Sequence, residues 1–236
     1  RLFVFIERCL AKGTDALIAI SPQVKTDLLD TYRIAQPGQL KLIPLGFNLD
    51  RLVELSPTDR ARARETLQVR ADAIVVATVG RLTAIKHQSL FLEMAARLAQ
   101  RPERFLFLLA GDGELRDELE AQAKRLGVDA RVRFLGWRGD LEAIYGATDI
   151  FVLTSRNEGT PVALIEAMAA GLAVVSTDVG GIADVITGGD LGLLVPSGDA
   201  DALADAVASL AVSADRRRES GLRAQAAVRE RFDGRR

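Results

Sequence analysis

The 236-residue sequence predicts an α/β fold with a doubly wound parallel sheet, and two observations predict it. Short β-branched or aromatic runs alternate with longer stretches of helical periodicity. Most of the short runs are apolar throughout instead of alternating, as parallel strands covered on both faces require.

Taken in order, the chain opens on RLFVFIERCL, an apolar stretch that suits a packed helix. Left exposed, the same stretch would drive self-association or touch a membrane. A strand is expected at 16–20 (ALIAI), a helix near 22–33 and a strand at 40–44 (LKLIP). The segment IPLGFNLDRLVELSPTDR then breaks the rhythm, because Pro44, Gly46, Asn48 and Pro57 favour irregular chain. Beyond it, strands are expected at 74–79, 105–110, 131–135, 149–153, 173–176 and 192–195. Helices are expected near 59–67, 87–100, 114–126, 140–147, 161–171, 181–187, 199–212 and 215–231, the last continuing an Arg-rich, solvated tail from Arg216. Six strands suffice for a complete Rossmann-like domain, whereas the two before the break do not make an independent core. Three regions are therefore expected: a remnant of a preceding domain at 1–45, a linker at 46–57 and a ligand-binding domain at 58–236.

Composition narrows the function. Lys and Arg number 31 against 32 Asp and Glu, so no general attraction to nucleic acid or anionic membrane is expected. A single cysteine, Cys9, excludes an internal disulfide, and a single histidine, His87, leaves little for a metal site. The apolar runs LFVFI and FLFLLA fall well short of the roughly 20 residues a membrane-spanning helix needs. The start lacks both a Met and a signal-peptide pattern, which reads as a chain beginning inside a longer, cytoplasmic protein.

In open α/β sheets ligands bind beyond the carboxyl ends of the strands, where helix N-termini converge. Five junctions answer to that rule. In ATVGRLTAIKHQSL, Gly80 permits close backbone approach, and Arg81 and Lys86 are cations suited to clamping a diphosphate; surface charge around a turn is the plainer reading. In LTSRNEGTPVALIEAMAAG, Glu158 and Glu166 stand eight residues apart. Pro161 suits the first turn of the helix between them, and the Val162 and Ala163 amides would point at an anion. Glu166 falls on an otherwise apolar helix, where a carboxylate needs a partner or a ligand unless it sits on a solvated edge. In LLAGDGELRDEL, Gly111 and Gly113 open a helix, but Arg116 occupies the third glycine position of a dinucleotide fingerprint. No acidic residue closes the next strand either, so NAD is disfavoured and a tight turn is the simpler reading. In FLGWRGDLEAIY, Gly136, Trp137 and Arg138 leave a strand end, where an aromatic ring or guanidinium would cover a nucleobase, although a loop Trp more often packs. In STDVGGIADVI, Gly180 and Gly181 allow close approach to a ligand or a tight helix entry.

In this order and spacing the segments resemble the GT-B glycosyltransferases, in particular the retaining, metal-independent group-one family (family four in the sequence classification). The resemblance runs from about Ile18 to Ala211 and rests on Glu158 with Glu166, on Gly80, Arg81 and Lys86, and on AGDGELR and FLGW between them. It implies that Arg81 and Lys86 hold the donor diphosphate and stabilise its departing charge, and that Glu158 lies beside the donor sugar. The amides near Gly159 and Thr160 would approach that sugar and those of Val162 and Ala163 a phosphate. Glu166 would accept from the ribose hydroxyls, and the backbone at Arg138 would read the base, with Gly80, Gly111 and Trp137 completing the donor site. Neither metal nor cofactor is implied, and the donor is a nucleoside-diphosphate sugar, UDP first and GDP or ADP after it.

The resemblance also implies that residues 1–45 belong to an acceptor-side domain of which most is missing. A donor-binding, transfer-incompetent chain is expected, from a bacterial enzyme of polysaccharide synthesis with peripheral membrane contact. His87 does not match the histidine that relatives carry in the acceptor-side domain. A non-catalytic nucleotide-sugar module and a sugar-nucleotide epimerase are the competing readings, distinguished by transfer products and by the fate of donor incubated alone.

Overall fold

The computed structural model describes residues 2–43, 45–188, 190–232 and 234. Pro44, the expected end of the second strand, lies outside the described residues, as do Arg1 and, in the RERFDGRR ending, Asp233, Arg235 and Arg236.

Among the described residues the main sheet has six parallel strands: β3 (Ile74–Val79), β4 (Phe105–Ala110), β5 (Val132–Gly136), β6 (Ile150–Leu153), β7 (Ala173–Thr177) and β8 (Leu193–Val195). Their spatial order is β5-β4-β3-β6-β7-β8, so the chain winds outward from β3, returns and winds outward again from β6. This is the doubly wound order, with its reversal between β3 and β6. Successive side chains of one strand serve opposite cores, which is why the strands read as unbroken apolar runs. Val76, Phe107, Leu109, Ile150 and Val152 join one buried cluster, while Val75, Ala77 and Leu108 join another and Phe151 and Leu153 a third.

Helices α5 (Gln88–Leu98), α6 (Arg116–Arg125) and α10 (Ala200–Ala211) supply the first cluster. The opposite face is covered by α4 (Pro57–Thr66), α7 (Leu141–Ala147), α8 (Val162–Ala169) and α11 (Ala214–Phe232). Helix α4 begins where its sequence dictates: Pro57 takes the first turn, and Ser56 and Asp59 form a reciprocal capping box. Arg64 of α4 then pairs with Asp149 at 3.0 Å, and Asp149 accepts the Val75 amide at 2.8 Å, fixing the helix to the sheet. The expectation of irregular chain over 45–57 needs correction. Residues Asp50–Val53 form a short helix, α3, and Leu49 and Leu52 are buried against α8 because the turn aims both inward.

Among the described residues, strands β1 (Leu17–Ala19) and β2 (Leu40–Leu42) pair only with each other, in parallel. Helix α1 (Leu2–Ala11) precedes them, and α2 (Pro22–Thr26) runs into a π-helical turn at Asp27–Thr31 between them. The expected packing of the first segment is not observed: α1 forms, yet Leu2, Phe3, Phe5 and Leu10 are exposed because only Ala11 finds a buried position. Two features tie this part, and the chain that follows it, to the helices flanking the main sheet. The Gln23 amide donates to Asp184 at 3.2 Å, and Phe47 exchanges backbone bonds with Phe232 at 2.9 Å and Gly234 at 3.1 Å. Among the described residues no helix is long and apolar enough to cross a membrane.

Candidate functional site

The five junctions singled out above meet beyond the carboxyl ends of the strands. Backbone hydrogen bonds lace them together: Leu82 to Asp112 at 3.0 Å, Gly111 to Gly136 at 2.8 Å, Arg156 to Ile85 at 2.8 Å and Gly181 to Glu158 at 2.8 Å. The glycines make this possible, chiefly by letting loops approach one another. A Cβ on Gly111, which has φ +138°, would overlap the Gly80 carbonyl, and one on Gly113 the Leu82 carbonyl. Gly180 and Gly181 stand in the same relation to the Glu158–Gly159 strip.

Glu158 lies in the loop before α8, not on it, and is only 8% exposed. A carboxylate so buried needs donors. Lys86 Nζ donates to its Oε1 at 2.6 Å, and the fully buried Ser155 Oγ donates to the same oxygen at 2.6 Å. Lys86 and Ser155 are fixed in turn: Thr154 Oγ1 donates to the Lys86 carbonyl at 3.0 Å and Thr177 Oγ1 to the Ser155 carbonyl at 2.7 Å. Arg81 is exposed, and its guanidinium has no partner among the described residues. The two cations thus differ: one is held by a carboxylate and the other is free for an anion.

A cavity of about 230 Å³ is lined by Gly80, Arg81, Gly111, Asp112, Trp137 and Arg138. Trp137 is 79% exposed, so the packing role expected of a loop Trp is corrected: the turn at Gly136, with φ +67°, throws the ring outward. Arg138 is held by a forked contact to Asp140, with Nε to Oδ1 at 2.7 Å, which keeps its guanidinium more firmly protonated than usual. A second cavity, of about 270 Å³, is lined by Ser21, Gly159, Thr160, Pro161, Asp184 and Arg231, among others.

Helix α8 starts at Val162, with Pro161 as its N-cap residue and not in its first turn. The Val162 amide is not free, as it donates to the Thr160 carbonyl at 3.0 Å. This tight turn, forced by the Thr-Pro step, leaves the Ala163 amide without a partner among the described residues. The Thr160 hydroxyl oxygen is also buried without a partner. On the same helix Glu166 is half-buried and accepts from Tyr145 OH at 2.8 Å, so it is neither unpartnered nor simply solvated. Burial raises the Glu166 carboxyl above the usual range, Tyr145 OH opposes that by holding the ionised form, and Glu142 adds to the rise. Tyr145, itself buried, is pushed well above its ordinary value by desolvation and by the Glu166 charge. His87 stands in the left-handed region at φ 52° before α5, its Nδ1 buried without a partner. Burial and then Arg156 lower its basicity. Sequence reasoning did not single out Tyr145, Ser155, Thr154 or Thr177. The polar Tyr145 on the inner face of an apolar helix was the available signal.

The direction for Glu166 gives a pH expectation. If its ionised carboxylate accepts the ribose hydroxyls, UDP affinity should fall on acidification, starting at a higher pH than an ordinary carboxylate would give. The fold responds oppositely: a carboxyl with a raised native pKa contributes stability below its unfolded pKa and loses it as pH rises through the native one. Calorimetric UDP titration from about pH 7 to about pH 5 checks this against Glu166→Gln, in which the component due to Glu166 should vanish. An identical slope in both proteins would sink the idea.

Residues 73–212 match the family described as "Glycosyl transferases group 1". A D-inositol 3-phosphate glycosyltransferase of Kribbella flavida is 34% identical over 226 residues, covering 91% of this chain and 52% of that protein. The lipopolysaccharide core biosynthesis glycosyltransferase LpsE of Rhizobium meliloti is 35% identical, covering 83% of this chain and 54% of that protein. Among solved structures, Anabaena HepE in complex with UDP and glucose superposes with a TM-score of 0.88 at 30% identity, covering 98% of this chain and 63% of HepE. The chain thus spans about half the length of these sequence relatives.

Proposed function

Because this chain belongs to the group 1 glycosyltransferases, with the GT-B fold, we propose that it is the donor-binding half of a retaining enzyme. The observation that carries this reading is the Lys86–Glu158 pair beside the free Arg81, at the point where the strand order reverses. Arg81 and Lys86 take the donor diphosphate, and the charge that develops on departure of the nucleoside diphosphate is stabilised by these two cations and the Ala163 amide. Glu158 meets the hydroxyls of the donor sugar, with the Gly159 and Thr160 backbone alongside. Glu166 accepts from the ribose, and the Trp137–Arg138 turn covers the base.

The donor is a UDP-sugar, in keeping with the UDP bound to HepE, and neither metal nor cofactor takes part. The acceptor binds an N-terminal domain of which residues 1–45 are the last part, with 46–57 as linker and 58–236 as donor domain. It attacks from the face the leaving group departs, with retention, and this chain alone binds donor without transferring sugar. The parent acts in bacterial polysaccharide synthesis, in the cytoplasm with peripheral membrane contact.

Metal-free calorimetric titration with UDP, GDP and ADP tests the donor site. Saturable binding of UDP alone is the expected result; binding of GDP or ADP alone would reassign the base, and robust sugar transfer by this polypeptide would overturn its incompleteness. NMR of the anomeric signal in a product of the longer enzyme tests retention.

A further inference from the structure

Glu158 carries two donors on one oxygen. Lys86 Nζ and Ser155 Oγ both reach Oε1 at 2.6 Å, while Oε2 has no donor among the described residues. A carboxylate with one saturated oxygen cannot exchange its two oxygens by rotation without breaking both bonds. Ser155 is fully buried at the carboxyl end of β6, and its carbonyl is held from β7 by Thr177 Oγ1 at 2.7 Å. Its hydroxyl is therefore presented from the rigid sheet, whereas Lys86 reaches Glu158 on a flexible side chain that is 29% exposed.

We propose that Ser155 is a positioning residue: it holds Glu158 Oε1 beside Lys86 and so fixes Oε2 as the acceptor offered to a hydroxyl of the donor sugar. Lys86 is needed by the diphosphate, and when the lysine swings toward that anion Ser155 alone keeps the carboxylate in place. Its contribution then appears in the affinity that the sugar adds to the nucleotide and not in affinity for the nucleotide. The inference rests on the reading of Glu158 as the group beside the donor sugar, and the test separates the two.

UDP and UDP-glucose are titrated against the unaltered chain, Ser155→Ala and Glu158→Gln, with thermal melting of each. In Ser155→Ala the affinity ratio of UDP-glucose to UDP should fall by about tenfold, the worth of one hydrogen bond to a charged group, with UDP itself little changed. An unchanged ratio in Glu158→Gln overturns the reading of Glu158. Loss of the ratio in Glu158→Gln with its retention in Ser155→Ala overturns the role of Ser155 alone. A merely structural serine would lower melting and weaken both ligands together. Should the chain bind neither ligand, the ligand-free crystal structure of Ser155→Ala decides. A carboxylate displaced from its place beside Lys86 supports the role, and one left where it is overturns it.

Discussion

Replacing Arg81 by alanine is expected to weaken UDP binding by about ten- to a hundredfold while leaving thermal stability unchanged, since one charge-assisted hydrogen bond carries about 1.5–3 kcal/mol. The stability half follows from its exposed guanidinium, which has no partner among the described residues to lose. Lys86→Ala should behave differently. It removes a similar share of affinity but also strands Glu158, whose side chain is 7% exposed, without its countercharge. Removing one member of a fully buried pair costs about 3–5 kcal/mol, and the 29% exposure of Lys86 lowers that to about 2 kcal/mol, or about 4–8 °C of melting temperature. The double variant should bind UDP at least about a hundredfold more weakly, because each cation of the loop between β3 and α5 makes its own charge-assisted contact to the diphosphate. Calorimetry with parallel melting separates these outcomes. Unaltered UDP affinity in the double variant would mean that the diphosphate sits elsewhere. Stability lost in Arg81→Ala and kept in Lys86→Ala would mean that the free and paired cations have been assigned the wrong way round.

The contrast between these cations was not legible in the sequence, although both residues were. Composition and spacing place Arg81 and Lys86 after β3, but only the return of the chain from β5 to β6 brings Glu158 beside Lys86, 72 positions later. The strands of the main sheet were legible because double-sided burial leaves a local mark, as in FLFLLA, where alternate residues feed different clusters. The short helix Asp50–Val53 left a weaker mark, since Pro44, Gly46, Asn48 and Pro57 frame it with breaking signals while Leu49 and Leu52 hold it by tertiary contact. The exposure of Trp137 was likewise set by a positive φ at Gly136 that residue type alone does not determine. Tyr145 shows the same limit from the other side. Its hydroxyl looks like an ordinary core tyrosine until Glu166, 21 positions away, turns out to be its acceptor.

By sequence Gly180 and Gly181 suit closeness to a ligand or a tight helix entry, and the structure gives a nearer cause: both backbones run against the Glu158–Gly159 strip. Gly181→Ala is expected to cost about 2–4 kcal/mol, since the new Cβ would overlap the Gly159 carbonyl oxygen at a buried position. Relief requires one strip to move, and the Gly181 amide is bonded to the Glu158 carbonyl at 2.8 Å, so the movement is transmitted to Glu158. The variant should therefore also lose part of the preference for UDP-glucose over UDP, in proportion to how far the strip shifts. Gly159→Ala is the control for stability. A Cβ there meets nothing within 4 Å and the residue is exposed, so melting should stay close to that of the unaltered chain. Equal melting of the two variants would mean that the strips yield easily and that the loop carrying Glu158 is softer than its buried bonds imply. A large loss confined to Gly181→Ala would mean that the glycine pair sets the position of Glu158 from the far side, as Ser155 does from the near one.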